Sequence, residues 1–255
     1  MLGLGSSIIA PSFVEGVTFT NTKSLSFDGT NDYLDTNYTA NTLFQGSFSA
    51  SMWVKPTDGQ GANQVLFGVE LGTSDAFVVT KGTLGTLAIL HYSNNSGVSS
   101  FAAYTTDAAR FADGTQSAFT HVVVTVTKNA SGDTSYAIYD DGSAVAASYL
   151  GSFRVDDTNH AAFDHGGLEL NVGASNDDGT QDTFFGGLID EAAFFTKALT
   201  AGEVSAIYNS GDPTDISSHA NLLMYYRFED DVTDTAGTSN GTNNGASFSS
   251  TVPSS

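Results

Sequence analysis

The sequence predicts an all-β fold, an antiparallel two-sheet sandwich carrying one short helix near residues 200–210. Three observations lead there. Apolar and polar residues alternate over short runs, the period of a strand with one buried face. Those runs are separated by clusters rich in Gly, Asn and Asp, with 27 Gly but only 4 Pro in 255 residues. The composition is rich in aromatic residues, 18 Phe and 10 Tyr, and in Ser and Thr, which suit pleated strands better than long helices.

Taken in order, residues 1–22 read as an N-terminal arm, built of small residues with Glu15 as its one charge and no sustained period. Residues 23–255 read as one domain that includes a C-terminal strand segment, 220–250. Phe48, Ala50, Met52 and Val54 alternate with polar neighbours and Trp53 before Pro56 closes the run. Val122, Val124 and Val126 repeat that pattern. Tyr136 to Tyr139 and Ala144 to Leu150 flank the turn Asp140-Asp141-Gly142, as a hairpin would. Leu168, Leu170 and Val172, then Gly187 to Phe195, then Met224, Tyr226 and Phe228 supply later strands. Thr200 and Glu203 form a capping box, Leu199 and Val204 a hydrophobic staple, and Gly211 with Pro213 a helix stop.

The charge balance narrows the function. With 28 acidic against 8 basic residues the net charge is −20, a field that repels phosphate backbones and anionic lipid headgroups. Nucleic acid is therefore not an expected partner. Two readings of the acids stay open: solubility, or cation binding by closely spaced carboxylates. There is no Cys, which removes disulfides, thiolate metal sites and Cys nucleophiles. The stretch Met1 to Pro11 has no basic segment and is broken by Gly and Ser, so no secretion signal is recognisable. No run approaches the roughly 20 apolar residues of a membrane span, and membrane insertion is not expected.

Four pieces carry a family resemblance. They are Leu25-Ser-Phe-Asp-Gly-Thr-Asn-Asp-Tyr-Leu34, Phe48 to Pro56, Phe119 to Val126 with the following Tyr139-Asp-Asp-Gly142, and Gly186 to Leu199 continuing to Tyr208 and Gly211. In order and spacing they resemble the laminin-G-like, concanavalin A-like jelly-roll superfamily. Thr120 departs from the pattern, standing where many members place an aromatic. The tail Leu222 to Asp231 with Asp234 to Gly245 resembles a segment that in many relatives precedes the first strand. The arrangement is similar to laminin-G-like structural proteins of tailed bacteriophages, marine ones especially. That resemblance implies a non-enzymatic component of the virion surface, on capsid or tail, docked to other virion proteins or to copies of itself as an oligomer. It also implies a glycan-binding face toward a host or environmental glycan. The alternative is a calcium-assisted, lectin-like adhesion module; a remoter one is a glycan hydrolase.

The acids of the first and last motifs are the candidate metal ligands. In relatives they contribute to a structural calcium, which maps here to Asp28 and Asp190, with Asn31 and Asp32 as secondary candidates; turn chemistry is the plain alternative. The loops Asn176 to Asp182 and Glu229 to Asp234 read as solvated. Hydrolysis needs two carboxylates flanking a bond. Here Asp190 and Glu191 are adjacent, and strand alternation sends neighbours to opposite faces. Gly237-Thr-Ser-Asn-Gly241 fits G-x-S-x-G but lacks the strand, elbow and helix that string requires. The five His are scattered without zinc spacing. Trp53 reads as structural, Tyr92, Tyr104 and Tyr149 are candidate sugar platforms, and no sugar site is located.

Overall fold

The computed structural model describes residues 19–72, 75–95, 98–129, 134–150 and 166–254. The N-terminal half holds β1 (Ser24–Asp28), β2 (Tyr33–Thr39), the single-turn α1 (Asn41–Phe44), β3 (Phe48–Pro56), β4 (Gln64–Leu71) and β5 (Asp75–Lys81). Next come β6 (Leu87–Asn95), β7 (Val98–Thr106), β8 (Thr120–Lys128), β9 (Thr134–Asp140), β10 (Ser143–Ala144) and β11 (Ala147–Tyr149). The remainder is β12 (Glu169–Val172), β13 (Ser175–Asp177), β14 (Thr180–Asp182), β15 (Gly186–Phe195), α2 (Ala201–Tyr208), β16 (Leu222–Tyr226), β17 (Thr242–Asn244) and β18 (Ser247–Ser249).

The described strands make two sheets. One runs β10-β9-β8-β3-β15-β1-β18, with β16 also on β15; the other runs β11-β7-β6-β5-β4-β12-β2-β17, with the β13–β14 hairpin on β4. Inward residues of both interdigitate as expected from period two: Phe48, Ala50, Met52 and Val54 meet Val122, Val124 and Val126, and across the gap Phe67, Phe77, Val79 and Ile89. Aromatic rings fill the middle, with Phe77 stacked on Phe44 at 4.8 Å between centroids and Phe194 edge-on to Phe67 at 5.3 Å. The C-terminal segment closes both sheets, β17 pairing with β2 and β18 with β1.

A second apolar cluster lies outside the first sheet. Helix α2 sets Val204 and Ile207 on Phe195, Leu199 and Tyr225. Its capping box is complete: Thr200 accepts from the Glu203 amide and Glu203 accepts from the Thr200 amide, a device worth about 1 kcal/mol. The helix stops earlier than Gly211 and Pro213 suggest, because Asn209 takes the left-handed conformation (φ 46°) that ends it.

Two local expectations are corrected. Residues 144–150 do not form one hairpin arm. Asp141 (φ 46°) and Gly142 (φ 76°) make the left-handed two-residue turn, but the return arm on β9 ends with Ser143–Ala144 and the Val145 amide, which donates to the Ile138 carbonyl. Ala147–Tyr149 crosses to the other sheet and pairs with β7, where Tyr149 packs on Tyr104 and Tyr136. Asn176 to Asp182 is a β-hairpin turned by Asp178 and Gly179, with Asn176 buried. The arm's residues 1–18 lie outside the described residues.

Gly173 follows β12 at φ 83°, its amide donating to the Leu66 carbonyl, and a Cβ there would strike the Phe27 ring within 3 Å. Gly173→Ala is expected to destabilise by at least about 1–2 kcal/mol, the conformational cost alone, read from urea unfolding midpoints; an unchanged midpoint would contradict the packing described.

Candidate functional site

The outer face of the first sheet is covered. Trp53, on the side of β3 away from the sandwich core, is 4% exposed and stacks on Tyr208 of α2 at 5.7 Å and on His121 at 4.9 Å. His121 accepts or donates one hydrogen bond, to Ser51 Oγ at 2.8 Å, and burial drives its pKa down to about 3. This Ser–His pair has no route to solvent, so it is structural. Tyr104 and Tyr149 are partly buried and pack against the inter-sheet core.

A groove lies on the outer face of the second sheet, and its floor residues Val65, Val78, Thr80 and Ala88 are buried. Register places Val65, Thr80, Ala88 and Thr105 in one row across β4 to β7, and Gly68, Val78 and Leu90 in the next. These rows floor the groove, which is about 400 Å³ in volume. The first row alternates aliphatic residues with the hydroxyl-bearing Thr80 and Thr105, and its neighbour carries Val78 and Leu90. Gly68 contributes to the trough: a Cβ there would press on Val78 at 3.0 Å. The β5–β6 loop makes one rim, held by Gly82 N–H to the Thr86 carbonyl (2.8 Å) and Thr83 N–H to Asn63 Oδ1 (3.0 Å). At that rim Leu84 is 71% exposed, and opposite it Leu150 is 56% exposed; among the described residues these are the large apolar side chains left in water, and both line the groove. Glu70 is the carboxylate lining it; Ser175 Oγ donates to its Oε1 at 2.6 Å, while burial and nearby Asp182 and Asp177 raise its pKa.

The predicted metal ligands are not brought together. Asp28 lies opposite Gly186 on β15, four residues before Asp190, so the two are about 13 Å apart along the strand. One calcium, with ligands at about 2.3–2.6 Å, cannot take both. Asp28 Oδ1 instead accepts the Thr30 and Asn31 amides, which lower its pKa, and Asp32 accepts the Asp28 amide. Asn31 contributes its amide to that turn. Among the described residues no group of three or more His, Asp or Glu side chains could hold a metal ion. The residues present do not fit a shared calcium.

Asp190 and Glu191 occupy a bulge instead. Pairing with β3 slips between Asp190 and Ala193, and Glu191 is left-handed at φ 50°. Ile189 and Ala192 both enter the core, so the extra residue puts both acids on the outer side rather than on opposite faces. Both are buried. Asn21 donates to Asp190 Oδ2 (3.0 Å), Tyr225 Oη donates to Glu191, and Arg227 Nε sits 3.7 Å from Glu191. Segment 19–23 lies over them: Glu229 accepts from the Thr22 amide and hydroxyl and the Lys23 amide, and Arg227 rests on the Phe19 ring at 4.3 Å. Burial, then the neighbouring Glu191 charge, holds the Asp190 pKa well above the usual range. Burial pushes Glu191 to about 7 against the Tyr225 and Arg227 contacts. Glu229 and Asp234 are likewise not solvated loop acids, since buried Asp234 accepts the amides of Tyr225, Ala236, Gly237 and Ser239. That capture explains the G-x-S-x-G string as a loop, followed by β17 and not by a helix.

A laminin-G-type model of the Concanavalin A-like lectin/glucanases superfamily matches residues 28–205, more than half of the chain. No curated protein matches. Among solved structures, a candidate carbohydrate-binding protein of Bacteroides ovatus is 19% identical with a TM-score of 0.61, over 92% of this chain and 62% of that one. This chain therefore spans less than two thirds of that protein. The CBM40 of a Ruminococcus gnavus sialidase, bound to α2,3-sialyllactose, is 15% identical at 0.50, over 72% and 96%. The NanB sialidase of Streptococcus pneumoniae is 18% identical at 0.50, over 80% of this chain and 31% of that one. At these identities the likeness is one of fold.

The Glu191 carboxyl makes stability depend on pH. Its folded pKa is raised from 4.5 to about 7, so the folded state keeps a proton that the unfolded state loses, and its contribution declines as pH rises from 4.5 to 7. His121, depressed from 6.5 to about 3, acts in the opposite sense between those values. The difference between wild type and Glu191→Gln reads this carboxyl together with the relief of Asp190, whose pKa its charge raises. Wild-type stability relative to the variant is expected to fall by up to about 1.4 kcal/mol per pH unit across that window, followed by urea unfolding at each pH; parallel curves would contradict it.

Proposed function

The chain belongs to the Concanavalin A-like lectin/glucanases superfamily, and from that premise we propose that it is a non-catalytic glycan-binding module whose site is the groove on the outer face of the second sheet. One observation carries the reading: the Thr80 and Thr105 hydroxyls lie among aliphatic Val65, Val78, Ala88 and Leu90, beside two leucines left in water. A pyranose ring presents the complementary surface, C–H groups on its faces and hydroxyls around its edge. Clefts of this kind, mainly apolar with a few placed polar groups, are where small ligands sit. The similar fold of the carbohydrate-binding proteins supports it. Glu70 is a single carboxylate, and glycoside hydrolysis uses two flanking the bond; the other buried acidic pair, Asp190 and Glu191, is sealed under residues 19–23.

A role at the virion surface, with the arm docking the module to other virion proteins or to further copies of itself, is the second part of the proposal. The observation favouring it is that Phe19 to Lys23 is fixed to the domain by Glu229, Asp190 and Arg227. A pull on the arm is therefore transmitted to the sandwich. Hydrogen bonds to a charged group contribute about 1.5–3 kcal/mol each, which outweighs the exposed Lys23–Asp230 pair at 3.3 Å.

Leu84→Asp with Leu150→Asp should weaken glycan binding at least about tenfold, since each leucine buries apolar surface worth about 1.5–3 kcal/mol when fully covered. Thermal stability should hardly move, because both side chains are exposed in the free protein. Calorimetric titration with an array-selected glycan reads the first, a melting curve the second; undiminished affinity would refute the groove. Deleting residues 1–18 should abolish docking on particles in co-sedimentation while leaving glycan affinity unchanged.

A further inference from the structure

We infer that the groove selects uncharged glycans and rejects those bearing carboxylates or sulfates, an inference that rests on the glycan-binding reading above. Recognition of an acidic sugar needs a cation, most effectively a guanidinium that can pair with both oxygens of a carboxylate. Among the described residues none lines this groove.

Each Lys and Arg among the described residues already has a partner within the chain. Lys81, nearest the groove in sequence, is fully buried and donates to the Gln60 and Ala62 carbonyls at 3.1 and 2.9 Å. Arg110 pairs with Asp140 at 3.3 Å, Lys197 with Glu203 at 2.7 Å, and Lys23 with Asp230. Lys128 bonds the Phe44 carbonyl, Lys55 lies over Phe119, and Arg227 lies between Glu191 and Phe19. Recruiting any of them would break an existing contact.

The charge at the groove is of the opposite kind. Glu70 stands at its end, and Asp177 and Asp182 on the adjoining hairpin are near enough to raise its pKa. Ser175 holds Oε1, and no other hydrogen bond engages the carboxyl among the described residues. Such a carboxylate can accept from neutral sugar hydroxyls, while an anion placed beside it meets like charges in a partly desolvated site. The whole-chain charge of −20 adds to the same repulsion.

The test uses matched pairs on a glycan array, each neutral oligosaccharide beside its sialylated, sulfated or uronate-bearing counterpart, read at about 0.15 and 0.5 M salt to separate local from long-range repulsion. The full chain and Glu70→Gln are compared. Capture confined to uncharged glycans, with an acidic group weakening binding at least about tenfold and Glu70→Gln reducing that penalty, is the expected result. Equal or tighter capture of the acidic partner would overturn the inference while leaving glycan binding intact, as would capture of amino sugars alone. A penalty unchanged in Glu70→Gln would mean that Glu70 is not its source, and would overturn the inference in this form. No capture of any glycan would remove the glycan-binding reading and this inference with it.

Discussion

Strand β15 has two successive partners along one edge, β1 beside its first half and β16 beside its second, and the change falls at Asp190 and Glu191. A bulge in β15 coincides with that change of partner. The bulge inserts one residue, lets β16 begin pairing at Ala192, and leaves two carboxyls on the outer side of the sheet. Burying them requires partners, which come from elsewhere in the sequence: Asn21 from the N-terminal side, Tyr225 and Arg227 from β16 and its exit. The bulge thereby ties residues 19–23 to residues 225–229. Beyond β16 the chain closes both sheet edges through β17 and β18.

This junction also covers part of the first sheet's outer face, through segment 19–23. Helix α2 covers another part, seating Tyr208 on Trp53. The second sheet keeps a groove over β4 to β7, whose floor residues Val65, Val78, Thr80 and Ala88 are themselves buried. Its outward residues are therefore a mixture that a solvated face would not show, Val78 and Leu90 beside Thr80 and Thr105, edged by Leu84 and Leu150. The acids of this chain are divided in the same way. Asp28, Asp234 and Glu229 cap backbone amides, while Glu70 stands in the groove.

The two-sheet class, the alternation of β3 and β8, and the cap of α2 are legible in the sequence because each rests on a local rule. Period two and the Thr200–Glu203 spacing need no tertiary information. The faces of Asp190 and Glu191 are not legible, since alternation assigns opposite sides and only the partner strands impose a bulge. Asp28 and Asp190 stand in motifs that read alike, yet their separation depends on register along β15. The groove escapes a sequence reading because β4 to β6 are apolar runs without clear alternation: Val65-Leu66-Phe67 and Phe77-Val78-Val79 are apolar on both faces. A strand apolar on both sides, with Leu84 in an adjacent Gly-rich turn, is the available signal. Trp53 stands opposite the Phe48–Met52 face, so its burial comes from the helix α2 laid over it, as the structural reading of that residue requires.

Hydrogen–deuterium exchange on the full chain, with and without a saturating uncharged oligosaccharide, tests most directly whether the groove is the binding site. The predicted result is slowed exchange confined to the β5–β6 loop, residues 82–86, and to the neighbouring strand β6, with no change at 19–23 or over α2. Protection centred on α2, or on the loops around Asp107 and Asp140, would place the site elsewhere and contradict that assignment.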